Sequence, residues 1–166
     1  DFGDGNTSTL QNPTHNYLSC DSFNVQLIVV DVHGCNDTIN KYVTVWCLPQ
    51  ASFTADPVCE GDTTTITSSS NTGNQPSAQI ISWYWSFTND TNSVVNHLFI
   101  PCNNYTESLI ITDANGCKDT TQGIITIYCN PDANYNVTDE CFDNEQQPIE
   151  FYDASNDGSA LINYWQ

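Results

Sequence analysis

The sequence predicts an all-β protein made of tandem β-sandwiches. Val25, Leu27 and Val29 interleave with Asn24, Gln26 and Ile28, close to period two. Val43-Thr44-Val45-Trp46 and Ile124-Ile125-Thr126-Ile127-Tyr128 are β-branched and aromatic, and Asn, Gly, Asp and Pro turns separate such runs. No segment shows a sustained helical period with caps, which leaves short strands at regular spacing as the only periodic element.

The cysteines reveal a repeat. Cys20, Cys35, Cys47 and Cys59 recur as Cys102, Cys117, Cys129 and Cys141, each 82 positions later. The text between aligns without a gap, so that Phe23–Asp31 matches Tyr105–Asp113, and Gly34-Cys35-Asn36-Asp37-Thr38 matches Gly116-Cys117-Lys118-Asp119-Thr120. The two ends also belong together. Ile81 to Phe87 resembles Ile162 to Gln166 continued by Asp1 and Phe2. The expectation is that residues 51–132 form a complete module. Residues 133–166 then begin a module that residues 1–50 of an adjacent repeat finish. The alternative is a chain whose own ends fold together, and neighbouring chains completing each other's sheets is a further arrangement. No signal peptide opens the sequence, which begins inside a motif, so a targeting signal is expected upstream.

In the complete module, strands are expected near 51–55, 62–68, 79–87, 93–99, 105–112 and 118–128. Asn115-Gly116 is the preferred pair for a two-residue type I′ hairpin turn, and His33-Gly34 holds that place in the other unit. Counting outward from these turns sets Cys102 opposite Cys129 and Cys20 opposite Cys47. Directly opposed residues in an antiparallel pair lie within disulfide reach. The disulfides Cys20–Cys47 and Cys102–Cys129 are therefore expected, each closing the open end of a hairpin. Cys35, Cys59, Cys117 and Cys141 remain. A staple between consecutive modules is expected, from Cys59 or Cys141 to the hairpin-tip cysteine of the next, with an intradomain Cys59–Cys117 bond as the alternative.

Composition narrows the function. Twenty acidic residues face two bases, Lys41 and Lys118, giving a net charge of −18 over 166 residues. Nothing here neutralises phosphates, so nucleic acid and anionic lipid surfaces are excluded as partners. No apolar run reaches the ~20 residues that a membrane-spanning helix needs, so membrane insertion is not expected. Eight cysteines with no Cys-x-x-Cys and no Cys/His zinc spacing point to an oxidising, extracellular compartment.

The joined ends carry a family resemblance. Tyr164-Trp165-Gln166 followed by Asp1-Phe2-Gly3-Asp4-Gly5 resembles the Tyr-x-Trp-Asp-Phe-Gly-Asp-Gly signature of PKD (polycystic kidney disease) domains, with Gln166 in the usual Trp place. Asn12-Pro13-Thr14-His15-Asn16-Tyr17 resembles the motif that follows it. Trp85-Ser86-Phe87-Thr88-Asn89-Asp90 and Asn96-His97-Leu98-Phe99 are its degenerate counterparts in the second unit. The resemblance implies immunoglobulin-like (PKD-type) sandwiches in secreted or cell-surface proteins, with roles in spacing, adhesion or protein contact. The Asp-Ala-Asn-Gly-Cys tip is similar to cysteine-bearing repeats of Bacteroidota surface and gliding-associated proteins.

Candidate sites follow. No histidine falls in a nucleophile or metal motif, and no catalytic residue or cofactor is expected. His15 and His97 occupy equivalent places, which points to packing against the signature aromatic. Asp153 and Asp157 lie in a loop that mimics half of a calcium loop, but Tyr164 stands where a bidentate Glu is needed. Trp83 and Trp85 share one strand face and are assigned inward. Tyr84 and Trp165 are assigned outward as contacts for glycans or a neighbouring module. Asn6, Asn36, Asn89, Asn104 and Asn136 head Asn-x-Ser/Thr sequons. Thr38 and Thr120 resemble the Asp-Thr-aliphatic glycan motif of Bacteroidota. The expected function is a structural repeat of an extracellular filament, stalk or adhesin, stiffened by disulfides, whose partners are adjacent copies. The alternative is a glycan- or protein-binding accessory module of a secreted enzyme or adhesin.

Overall fold

The computed structural model describes residues 1–73, 78–137, 149–158 and 160–163. Among them every regular element is a strand: β1 (Ser22–Val30), β2 (Asn36–Thr44), β3 (Phe53–Ala55), β4 (Val58–Cys59), β5 (Thr64–Ser68), β6 (Ile80–Trp85), β7 (Val94–His97), β8 (Asn104–Asp113), β9 (Lys118–Tyr128), β10 (Tyr135–Val137) and β11 (Phe151–Asp153). The central part is a two-sheet sandwich. One sheet has the order β3-β5-β7, the other β4-β9-β8-β6. On either side lies a two-stranded sheet, β1-β2 before it and β10-β11 after it.

Alternation decides which face of each strand is dry. In β8, Leu109, Ile111 and Asp113 point inward. In β9, Ile125 and Ile127 do so, and in β5, Thr64 and Ile66. Of these, Leu109, Ile111, Ile125, Ile127 and Ile66 meet Val95, Trp85 and Phe99 in one buried cluster, with Phe53, Trp83 and Tyr105 packed on its margin. Each large side chain so buried is worth roughly 1.5–3 kcal/mol against leaving it in water. Trp85 keeps its polar handle satisfied, donating from Nε1 to the Asn92 carbonyl at 3.0 Å. β4 was not expected as a strand. It is two residues long and pairs parallel with the end of β9, setting Cys59 beside Tyr128.

The hairpin turns differ from the expected two-residue form. Both ladders run one residue out of the expected register, pairing Thr112 with Lys118 and Val30 with Asn36. The loops therefore hold three residues, Ala114-Asn115-Gly116 and Val32-His33-Gly34, ending on a glycine at positive φ (85° and 86°). The cause is an aspartate before each loop. Asp113 Oδ1 accepts from Asn115 N at 2.9 Å and Cys117 N at 2.8 Å. Asp31 Oδ1 accepts from His33 N at 2.8 Å and Cys35 N at 2.9 Å. This side-chain turn competes with the type I′ geometry and wins. At the open ends, Cys20 and Cys47 are bonded, as are Cys102 and Cys129, each with a Cα separation of 4.9 Å. The ladder still pairs Ser22 with Thr44, so each disulfide joins strands across a one-residue stagger rather than between directly opposed residues.

Among the described residues, β1-β2 and β10-β11 are separate sheets that share no ladder.

Candidate functional site

The site is the open edge and exposed face of the β1-β2 hairpin. It is best read against β8-β9, which has the same tip, the same register and the same disulfide. In the central sandwich β6 pairs along the outer edge of β8, from Ile80 opposite Asp113 to Trp85 opposite Leu109. The last bond of that edge runs from Ser86 N to Ser108 O at 3.0 Å. Along β1 only this last rung is filled. Asp1 N donates to Gln26 O at 3.0 Å, and Gln26 N donates to Asp1 O at 2.9 Å. Asp1 thus holds the place of Ser86, and beyond it the β1 edge from Leu27 to Asp31 carries no neighbour among the described residues.

The faces tell the same story. Ile111 and Ile125 have no exposure, whereas their counterparts Val29 and Val43 are 53% and 41% exposed. Asp113 is buried and Asp31 is open to solvent. On the other flank, β10-β11 has the pairing of β3-β5 and leaves Tyr135 and Phe151 63% and 66% exposed. Exposed apolar edges of this kind are what proteins normally cover or blunt.

What fixes the first 20 residues onto β1 is a run of aromatic contacts. Phe2 stacks on His15 with centroids 4.1 Å apart, His15 meets Tyr17 edge-on at 4.7 Å, and Tyr17 stacks on Phe23 at 4.1 Å. The central sandwich repeats it as Phe87, His97, Phe99 and Tyr105, at 5.0, 4.6 and 4.8 Å. His15 Nε2 also lies 2.7 Å from Asp4 Oδ2, and this hydrogen bond, with those from Asn6, lowers the Asp4 carboxyl to about 2. Gly3, at φ 79°, has no room for a side chain, because a Cβ would stand 2.7 Å from the Asn24 carbonyl oxygen. The glycine and the two aspartates of this segment are therefore structural parts of the β1 contact.

The junctions between parts also share one geometry. Gln50 bridges Asn71, and Asp132 bridges Asn156. Gly73 lies against the Leu48 carbonyl and Gly158 against the Cys129 carbonyl, both at φ 63°. A loop thus seats on the preceding disulfide pole at each junction.

The remaining sequence-derived sites fall as follows. Cys35 and Cys59 are exposed thiols and Cys117 is half-buried, its thiol pushed up by burial and by the Asp113 carboxylate. Cys59 and Cys117 lie at opposite ends of β9. The eleven residues from Cys117 to Tyr128, beside Cys59, span roughly 36 Å at about 3.3 Å each, beyond disulfide reach, and both thiols are unbonded. Cys141 and Trp165 lie outside the described residues. Trp85 is buried, Trp83 half-buried and Tyr84 55% exposed. Asn6, Asn36, Asn89, Asn104, Asn136, Thr38 and Thr120 are all exposed. Asp153 Oδ1 accepts from Ser155 N at 3.0 Å, and no group of three acidic, His or Cys side chains poised for a metal occurs among the described residues. Among the described residues no helix is long and apolar enough to cross a membrane. The aspartate-anchored tips were missed by the sequence reading, although Asp31 and Asp113 four residues before Cys35 and Cys117 signal them.

Comparison with known proteins gives the following. No curated protein matches the chain. The crystal structure of the PKD1 domain from the Vibrio cholerae metalloprotease PrtV is similar over 49% of this chain and 98% of its own, at 25% identity and a TM-score of 0.41. That of the PKD1 domain of Vibrio anguillarum Epp is similar over 50% and 96%, at 21% identity and a TM-score of 0.43. Residues 1–45, the segment that binds its signature onto β1, match the family model described as PKD domain.

Proposed function

We propose that the chain is a structural repeat unit of an extracellular filament, stalk or adhesin, in which residues 133–166 of one copy and residues 1–50 of the next fold into one sandwich. The single observation that carries this is the half-filled β1 edge. Asp1 occupies the last rung of a strand whose preceding residues, by the sequence repeat, are Ile162 to Gln166 of another copy. The two exposed flanks supply what the other lacks. β10-β11 offers the equivalents of Phe53 and Ile66, and β1-β2 offers those of Leu109, Ile111 and Ile125. Pairing through backbone bonds along an open edge, with alternate side chains filling the interior, is a general mode of strand addition. The halves are not identical to the central sandwich everywhere. Lys41 stands where Gly123 lies under the Phe53 ring, so Tyr135 would pack along the Lys41 stem.

The role supported is mechanical rather than catalytic. Repeats joined end to end give a rod, the two disulfides hold each hairpin closed, and a net charge of −18 keeps neighbouring rods apart. Sedimentation velocity and electron microscopy of the full chain test this. Rods that lengthen with concentration are expected. A chain that stays monomeric, together with a head-to-tail two-copy chain that melts no higher than one copy, would overturn it.

A second reading is favoured by Tyr84, which stands exposed on β6, the edge strand of the central sandwich. Contact with a glycan or protein there would make the unit an accessory binding module. Glycan-array binding that is lost on Tyr84→Ala would support it.

A further inference from the structure

We propose that Cys35, at the hairpin tip of one copy, forms a disulfide with Cys59 of the preceding copy, so that each junction is closed covalently. This rests on the completion of one copy by the next argued above, and adds the chemistry of the junction to it.

Cys59 is held in place by its surroundings. Its strand pairs beside Tyr128, Glu60 N donates to Tyr128 O at 2.8 Å, and Asn130 Nδ2 donates to Glu60 O at 2.8 Å. Together with Tyr128, Cys129 and Pro131 it lines a cleft whose other wall includes Ala160 and Leu161. Cys129 is already bonded to Cys102, so Cys59 carries the one thiol in that cleft among the described residues.

The complete sandwich shows what seats against that second wall. In it, Gln79 and Ile80 hold the places of Ala160 and Leu161. Gln79 O accepts from Ala114 N at 2.8 Å, and Ile80 faces Asp113, both at the hairpin tip. Carried over to a second copy, Ala160 meets Val32 and Leu161 meets Asp31. Cys35 closes that same loop, its carbonyl accepting from Asp31 N at 2.9 Å. A second anchor agrees. Ala51 N donates to Asp119 Oδ2 at 2.8 Å where the chain enters the central sandwich. The equivalent pair is Ala133 with Asp37, two residues past Cys35. The tip of the second copy is thus gripped from Ala160, in the wall of the cleft that contains Cys59, and from Ala133, two residues past the lining residue Pro131. Within one chain the same two thiols cannot meet. β2 alone carries Cys35 about 30 Å from the Cys20–Cys47 pole, and the central sandwich begins only beyond it.

The bond needs an electron acceptor, and a small-molecule disulfide such as oxidised glutathione supplies it. The Cys59 thiolate attacks one glutathione sulfur and releases one reduced glutathione. The Cys35 thiolate then displaces the second, leaving the Sγ–Sγ bond, and the two thiol protons end on the two reduced glutathiones released. By the 82-residue equivalence Cys117 and Cys141 hold the matching places, and they are removed for the test so that one pair is read alone.

The experiment uses the full chain carrying Cys117→Ser and Cys141→Ser, assembled and oxidised with glutathione, then run without reductant and mapped by peptide mass. A ladder of covalent multimers containing a Cys35–Cys59 peptide is expected, and adding either Cys35→Ser or Cys59→Ser abolishes the ladder. Rods that form while Cys35 and Cys59 both stay alkylatable, or a ladder built on Cys59–Cys59, overturn the staple and leave the completion of copies standing. No rods under any condition overturns both.

Discussion

Leu109 and Leu27 hold the same place in two hairpins 82 residues apart, yet Leu109 has no solvent exposure and Leu27 is 58% exposed. Nothing in the hairpins themselves accounts for this, since their tips, registers and disulfides agree. The difference is that β6 and the β3-β5-β7 sheet cover Leu109. Leu109→Ala is therefore expected to cost ~2–5 kcal/mol in denaturant unfolding of one copy. Leu27→Ala is expected to cost under about 1 kcal/mol in one copy and to approach the Leu109 value for the second hairpin of a head-to-tail two-copy chain. Equal, small effects of Leu27→Ala in both chains would contradict the account.

The Asp4 carboxyl gives a pH signature for the segment bound to β1. Its folded pKa is lowered, chiefly by the hydrogen bond from His15, to about 2, against an ordinary value of 3.8. A depressed carboxylate stabilises the fold above its ordinary pKa, and the contribution is lost as pH falls through the folded one. Loosening of residues 1–17 from β1 is thus expected as pH drops from about 4 toward about 2. Carboxyl-carbon shifts of Asp4 read it directly. A midpoint near 2 that rises in His15→Phe is expected, and a midpoint unmoved by that change would remove the hydrogen bond from the explanation.

The unbonded thiols should differ in reactivity. Burial and the Asp113 carboxylate raise the Cys117 thiol, and the thiolate is the reacting species. Iodoacetamide is expected to modify Cys35 and Cys59, both exposed, before Cys117, and Asp113→Asn is expected to speed the reaction at Cys117. Equal rates at all three sites would contradict this.

The fold class was legible because alternation along β8 and β9 sorts Leu109, Ile111, Ile125 and Ile127 to one face with no knowledge of the partner sheet. The disulfide partners were legible too, because Cys20 and Cys47 stand at the open end of a hairpin whose tip a glycine marks. The register was not. Asn115-Gly116 favours a two-residue turn by backbone preference, and the Asp113 side chain overrides it by binding two loop amides. β4 was missed because Val58-Cys59 is too short for any period to show; its pairing with β9 is a tertiary event. The aromatic contact run was half visible: His15 and His97 were seen as equivalent. Their contacts with Phe2 and Phe87 depend on a strand that, for the first hairpin, is not contiguous with β1.

Amide hydrogen exchange at Ile28 and Val30 tests the completion of β1 most directly. Their N–H groups point the same way as that of Gln26, which is already bonded to Asp1, and so toward the open edge. In a head-to-tail two-copy chain, the Ile28 and Val30 amides of the second copy are expected to exchange at least ~100-fold more slowly than those of a single monomeric copy, as bonded strand amides do. Equal rates in the two chains would mean that no strand lies there, and would contradict the joining of one copy's end to the next copy's beginning.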